Sequence, residues 1–411
     1  MEHAPWRLII ISAACSLALL LGVYLIVLPK RADFETAPIE KILEFKDTYI
    51  AGHEDGKKTW EFHTKYGWSG QDRDITTLTG ISEGKMYKKN GDLIVKELEA
   101  EKVIAYRASK IVEVFGLPEG TTEGKSTLSA IVAFTPKNHS KKYRFADLDA
   151  DFLRYDPNQK KSFLNGHISL KDPKISLKTD VMQIDHENGI ANLTQHVSLK
   201  RKDVRLSSNS LDYFSDDEKV VTDGSVEAKI MSKPNPTAIK ANQIILFADE
   251  SKDFSALGSI EARQGKKISI AENALYTKPS KKIILSGHVK TVIEKAKALI
   301  KEETAKKLTS EDAKKILKEK TFILSDNLEF KTDNGDAFAY GKVTVSQKGK
   351  EAKADSAAYT ENNEMIKMSG NVYLKREKEW IKCQGVEISI KNETFSAQGS
   401  VEAEFKIKKK D

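Results

Sequence analysis

One period constrains this 411-residue chain more than any other feature. From Asp149 onward a small residue recurs close to every 29 positions. Gly166, Gly224, Gly258, Gly287, Gly341, Gly370 and Gly399 mark it, and each is followed two residues later by a β-branched residue. Those residues are Ile168, Val226, Ile260, Val289, Val343, Val372 and Val401. Gln195 stands 29 residues from both Gly166 and Gly224, with Val197 two residues on, so the register has eight rungs. A fixed period of this length signals stacked supersecondary units sharing one continuous core.

The period is built of strands. Val401, Ala403, Phe405 and Ile407 alternate with Glu402, Glu404 and Lys406, which places one face in a core and the other in water. Ahead of each glycine lies a second segment with a small, polar, then apolar pattern, as in Ala271 to Tyr276 and Ala354 to Tyr359. Two segments per rung predict two facing sheets about 10 Å apart, and eight rungs at ~4.8 Å predict a stack of about 38 Å. The fold class expected is all-β, a folded-over β-jellyroll of stacked rungs.

The 54 residues from Gly287 to Gly341 break the period by an insertion of 25. Residues 291–320 have helical composition. Val292, Ile293, Ala296, Leu299 and Ile300 form one apolar stripe, and Thr309 to Asp312 reads as a capping box opening a second helix with Ala313, Ile316 and Leu317. A helical hairpin between two rungs is expected, either as a cover for the space between the sheets or as a partner-binding or gating element.

Leu8 to Leu28 is an unbroken apolar stretch of 21 residues, long enough as a helix to span a bilayer. No small-residue cleavage site follows it. Three regions result: a transmembrane anchor at 1–30, an irregular β segment at 31–125, and the repeat array at 126–411 carrying the insertion. A single N-terminal anchor ahead of a large repeat domain predicts export of the remainder, into the periplasm of a two-membrane cell. Turns are expected at Glu54-Asp55-Gly56 and Lys89-Asn90-Gly91. Cys15 in the anchor and Cys383 in a rung offer no disulfide framework.

Catalytic and ligand chemistry is sparse. The net charge of +7 arises from 67 basic against 60 acidic residues spread evenly, without basic runs interleaved with aromatics, so no nucleic-acid partner is expected. Gly124-Lys125-Ser126 resembles the end of a phosphate-binding loop, but Glu119 occupies the position of its first glycine. His167, His196 and His288 each follow a rung position, where exposed polar residues stand elsewhere. A polar column of Asp151, Asp180, Asn209, Asn242, Glu272, Asp326, Asp355 and Gln384 supplies one group per rung rather than a convergent cluster. No Ser/His/Asp, Cys/His or metal-ligand constellation is visible. No enzyme activity, metal or cofactor is expected.

What remains is the interior. The column of Ile168, Val197, Val226, Ile260, Val289, Val343, Val372 and Val401 has small neighbours, among them Ala228, Ala262, Thr291, Ala339, Ala397 and Ala403. Small neighbours either leave a long apolar slot suited to alkyl chains or let the sheets close into a dry core.

The rung signature, Ala-Asp-x-Ala-x-Tyr followed by Met-x-Gly-x-Val in Ala354 to Val372, resembles the OstA-like lipopolysaccharide-transport proteins. The anchor, Gly56 to Phe62 and the degenerate rung ending at Gly116 resemble LptC, while the array from Asp149 is similar to LptA. The insertion and the length of the array depart from that pattern. The resemblance implies a hydrophobic groove holding the acyl chains of lipopolysaccharide or a related glycolipid, with the eight-residue column as its lining. It also implies an inner-membrane ABC exporter as partner and pairing with other OstA-like jellyrolls through edge strands. A structural scaffold or filament with a dry core is the competing expectation. A β-helical polysaccharide enzyme is a third, but the chain lacks its clustered surface carboxylates.

Overall fold

A computed structural model describes residues 41, 43–71, 73–116, 128–134, 144–232 and 236–405. The expected anchor at Leu8 to Leu28, the Gly124 to Ser126 motif and the basic end from Lys408 lie outside the described residues. Among the described residues no helix is long and apolar enough to cross a membrane.

Among the described residues, twenty-six strands form one hydrogen-bonded, antiparallel sheet in which successive strands are mostly neighbours. Turns fall where expected: Leu43–Glu54 returns into Lys57–Ser69 through Asp55-Gly56, and Ile75–Tyr87 into Leu93–Tyr106 through Lys88 to Gly91. The ladder passes without a gap from these N-terminal strands into the array, through pairs such as Phe115 with Phe152 and Leu128 with Ala150.

The rung differs from expectation in one respect. Each period contributes two antiparallel strands, and each of these crosses both halves of the fold. Lys267–Thr277 pairs with Lys282–Ile293 along its whole length, and the latter pairs with Thr321–Lys331. The spacing was legible, but a 29-residue unit holds two strands of about eleven residues rather than one short strand in each of two sheets. Sixteen levels at ~4.8 Å give a stack of about 75 Å, twice the expected length.

The single layer covers itself by folding. Phe254, Ala256, Ile260 and Ala262 lie along one strand, two on either side of its midpoint, and all are buried. A sheet one layer thick hides a whole face only if its two halves lie against each other. The fold line is the 29-residue register. At every second level the bend residue and its successor oppose a single residue on the next strand, as where Gly287 and His288 fit between the pairs Ser286–Asn327 and Val289–Ser325, opposite Asp326. Both residues of this bulge have positive φ, 85° at Gly287 and 47° at His288. A Cβ on Gly287 would also sit 2.7 Å from the Cβ of Glu272, so glycine is required twice over. Elsewhere the bend breaks the strand outright, as between Lys219–Asp223 and Val226–Ile230.

The insertion is helical over less of its length than expected. Val292 and Ile293 still belong to a strand, because they pair with Phe322 and Thr321. A 3-10 turn at Ala296–Leu299 and two six-residue helices, Glu302–Lys307 and Glu311–Ile316, follow. The two arms join where the amides of Ala296 and Lys297 donate to the carbonyls of Glu319 and Leu317. The second helix begins where the capping pattern placed it, but the carboxylate that receives the amides of Thr309 and Ser310 comes from Glu393, in a distant turn.

One continuous apolar cluster runs from Phe62 to Val343, and a smaller one from Ala354 to Val386 closes the C-terminal rungs.

Candidate functional site

The eight-residue column follows the fold line. Ile168, Val197, Val226, Ile260, Val289, Val343 and Val372 are all at most 1% exposed, whereas Val401, on the last level, is 50% exposed. The seven buried members form the floor of the fold, where the two half-sheets meet. From Phe62 to about Val289 the space above that floor is filled by side chains such as Leu206, Ile230, Ile239 and Ile244.

Toward the C-terminus the filling stops. Between the strands from Phe254–Gln264 to Glu379–Ser389 lies an apolar cavity of about 230 Å³. Ala262, Thr291 and Ala339, three of the small neighbours singled out in the sequence, line it, and so do Ala352 and Ala357. Ile323, Val345, Ile366 and Leu374 complete its walls from both half-sheets. These residues are only partly buried. Small side chains at facing positions leave the void that larger ones would fill.

The insertion closes the mouth of this space. It leaves and rejoins the sheet on one rim, where Gln347 Nε2 donates to the Ile316 carbonyl at 2.9 Å. It reaches the opposite rim through three contacts. Leu299 projects into the cavity while its carbonyl accepts the Tyr359 hydroxyl. The Lys301 amide donates to the buried Glu364 carboxylate at 2.6 Å, and Glu393 holds Thr309 and Ser310. Beside Leu299 the rims also meet directly: the Lys267 ammonium stands over the Tyr359 ring, 5.4 Å from its centre. Burial lowers the pKa of Lys267, with Glu361 partly opposing it, and burial raises that of the Tyr359 phenol. A second, polar cavity of about 170 Å³ adjoins the first and shares Gln264, Lys267 and Gly335 with it.

The periodic pattern alone does not single out Lys267, because nothing in the sequence says that its rim faces Tyr359. The two polar columns do come together, with each other. His167 bonds Asp151 at 2.7 Å, His196 bonds Asp180 at 2.6 Å and His288 bonds Glu272 at 2.9 Å, all on the exposed outer side of the bend. Among the described residues no group of three or more His, Cys, Asp or Glu could hold a metal ion.

A family comparison falls largely on this same region. Residues 270–395, less than a third of the chain, match the family model described as LptA/(LptD N-terminal domain) LPS transport protein. Among solved structures, LptH from Pseudomonas aeruginosa, the LptA homologous periplasmic component of the lipopolysaccharide transport device, matches over 25% of this chain and 76% of its own. Its identity is 17% and the TM-score 0.24, too distant to carry an argument. No curated protein sequence matches the chain. Residues 270–395, which hold the cover and most of the cavity wall, are therefore similar to the LptA/LptD N-terminal lipopolysaccharide-transport domain, while Ala262, Gln264, Lys267 and Ser269 of the wall precede that stretch.

Proposed function

We propose that this chain carries lipopolysaccharide or a related glycolipid, with acyl chains between the half-sheets and sugars in water. One observation carries the reading: most residues lining the apolar cavity, from Thr291 to Ile388, fall in the stretch similar to a lipopolysaccharide-transport domain, and the rest lie just ahead of it. Burying acyl surface there stabilises the complex by about 25 cal/mol per Å², and walls of interchangeable aliphatic residues fix no single position, so a chain can slide. In this reading the buried Val/Ile column is the floor of the track and the cavity residues are its walls. Leu8 to Leu28 anchors the chain in the inner membrane as a single pass, with the β array in the periplasm. The N-terminal strands act as the LptC-like part beside an ABC exporter, and the array acts as an LptA-like bridge. The edge strand Glu402–Glu404, paired on one side only among the described residues, passes lipid on by pairing with another jellyroll.

The scaffold reading has its own support in the filled core between Phe62 and Val289, which has no room for a chain in this conformation. Photo-crosslinkers at Val345, Leu374 and Val289, with Glu402 as the outward control, separate the two. Transfer of label to glycolipid from Val345 and Leu374 but not Glu402 is the expected result. Purified protein without lipid, and inward positions that never crosslink, would sink the transport reading.

A further inference from the structure

We propose that the two adjoining cavities under the 3-10 turn Ala296–Leu299 are one site for a single-chain anionic amphiphile, with its chain in the apolar cavity and its phosphate or carboxylate beside Lys267. The proposal rests on the lipid-carrying reading of the same groove and adds a fixed station to it.

The two spaces have complementary chemistry and a common wall. The apolar one is built of alanines, Val345, Leu374 and their neighbours, and the polar one of Lys266, Thr332, Glu361 and the backbone around Gly265. Lys267 lies on the boundary and faces both. Among the described residues its ammonium has the Tyr359 ring as its contact and forms neither a hydrogen bond nor an ion pair. The partly buried Lys267 ammonium, attracted by Glu361 without bonding to it, would donate charge-assisted hydrogen bonds to an anion in the polar cavity. Two lysines against the single carboxylate of Glu361 leave the polar cavity net positive. A cavity of about 230 Å³ exceeds the ~150 Å³ that admits benzene, but falls well short of a bundle of acyl chains. Ala298 covers the polar cavity and Leu299 the apolar one, so the ligand is held under a cover tied to the far rim by Tyr359, Glu364 and Glu393.

The test uses the full chain in lipid nanodiscs and two photoreactive probes that differ only in the head: diazirine-bearing dodecyl phosphate and the corresponding dodecanol. Peptide mapping should place label from both between residues 337 and 374, with the phosphate probe effective at roughly tenfold lower concentration, about 1.4 kcal/mol. Lys267→Met should abolish that difference while leaving dodecanol labelling unchanged, and Lys267→Arg should keep it. Ala352→Trp should block both probes by filling the cavity. Inorganic phosphate should not compete. A preference that survives Lys267→Met, or competition by inorganic phosphate, would overturn the site. Equal labelling by both probes also overturns it, yet leaves the lipid-carrying reading standing. Labelling by neither probe removes both.

Discussion

The imidazole of His288 is hydrogen-bonded to the carboxylate of Glu272, 16 residues earlier and on the preceding strand, at 2.9 Å. The same interval joins His167 to Asp151, His196 to Asp180 and the Asn371 amide to Asp355. At these four rungs the residue after the bend position fastens the bend to the level before it. What looks in the sequence like two separate polar columns is joined at these rungs by clamps on the outside of the fold line.

Backbone conformation at that line is the first point of test. Gln195 occupies a glycine position at φ 67°, and its successor His196 has φ 51°. A left-handed non-glycine residue costs about 1–2 kcal/mol, so Gln195→Gly should raise the unfolding midpoint by a few degrees. Gly370→Ala should lower it, because its Cβ would meet Asp355 at 2.8 Å or less in addition to the φ of 79°. Thermal melts followed by circular dichroism decide; a Gln195→Gly variant no more stable than the parent would contradict the assignment.

Acid stability should follow His186. Its ring lies buried against Tyr155, within 2.7 Å of Ser162 Oγ, and burial pushes its pKa down to about 4. The unfolded chain binds this proton near pH 6.5. The stabilisation is therefore complete above about 6.5 and is lost progressively as the pH falls toward 4, by up to about 3 kcal/mol. Denaturant titrations from pH 7 to 4.5 should show a shallower loss in His186→Gln than in the parent protein. Parallel curves would reject the mechanism.

Arg201 and Asp203 form a buried pair at 2.7 Å, with Arg201 also donating to the Phe247 carbonyl and Lys278 reaching Asp203 at 2.9 Å. Asp203→Ala leaves the guanidinium buried without its carboxylate and should cost about 3–5 kcal/mol. Replacing both residues, Arg201→Met with Asp203→Leu, should cost less than Asp203→Ala alone. Chemical denaturation of the single and double variants measures the difference, and a double variant at least as unstable as the single would refute it.

Hydrogen bonds tie the cover over the cavity to the far rim. Glu393→Ala removes the acceptor for the amides of Thr309 and Ser310. Hydrogen exchange across residues 301–316 should rise by about tenfold, that is, by the ~1.4 kcal/mol that bonds to a charged group contribute, with the strands Ala337–Gln347 and Met365–Arg376 unchanged. Unaltered exchange in the insertion would show that other contacts hold it.

Strand period, the interrupted rung and the small residues beside the column were all legible in the sequence, since alternation and glycine spacing are local properties of the chain. The number of strands per rung was not. A run such as Lys267 to Thr277 alternates in the same way whether it belongs to one half of the fold or crosses both, and only its pairing partners distinguish the two. The column itself was visible as Val and Ile, but its depth at the fold line depends on where the halves close.

The sequence by itself determined a repetitive, antiparallel β fold with an apolar interior and a single helical interruption, because φ at glycine and side-chain alternation act residue by residue. Tertiary structure alone decided where that interior stays filled and where it opens. Filling depends on the combined volume of side chains from opposite half-sheets: Leu206, Ile230 and Ile239 pack closed, whereas Ala339, Ala352 and Ala357 leave space. The meeting of Lys267 with Tyr359, 92 residues apart, is likewise a product of the fold bringing its two rims together.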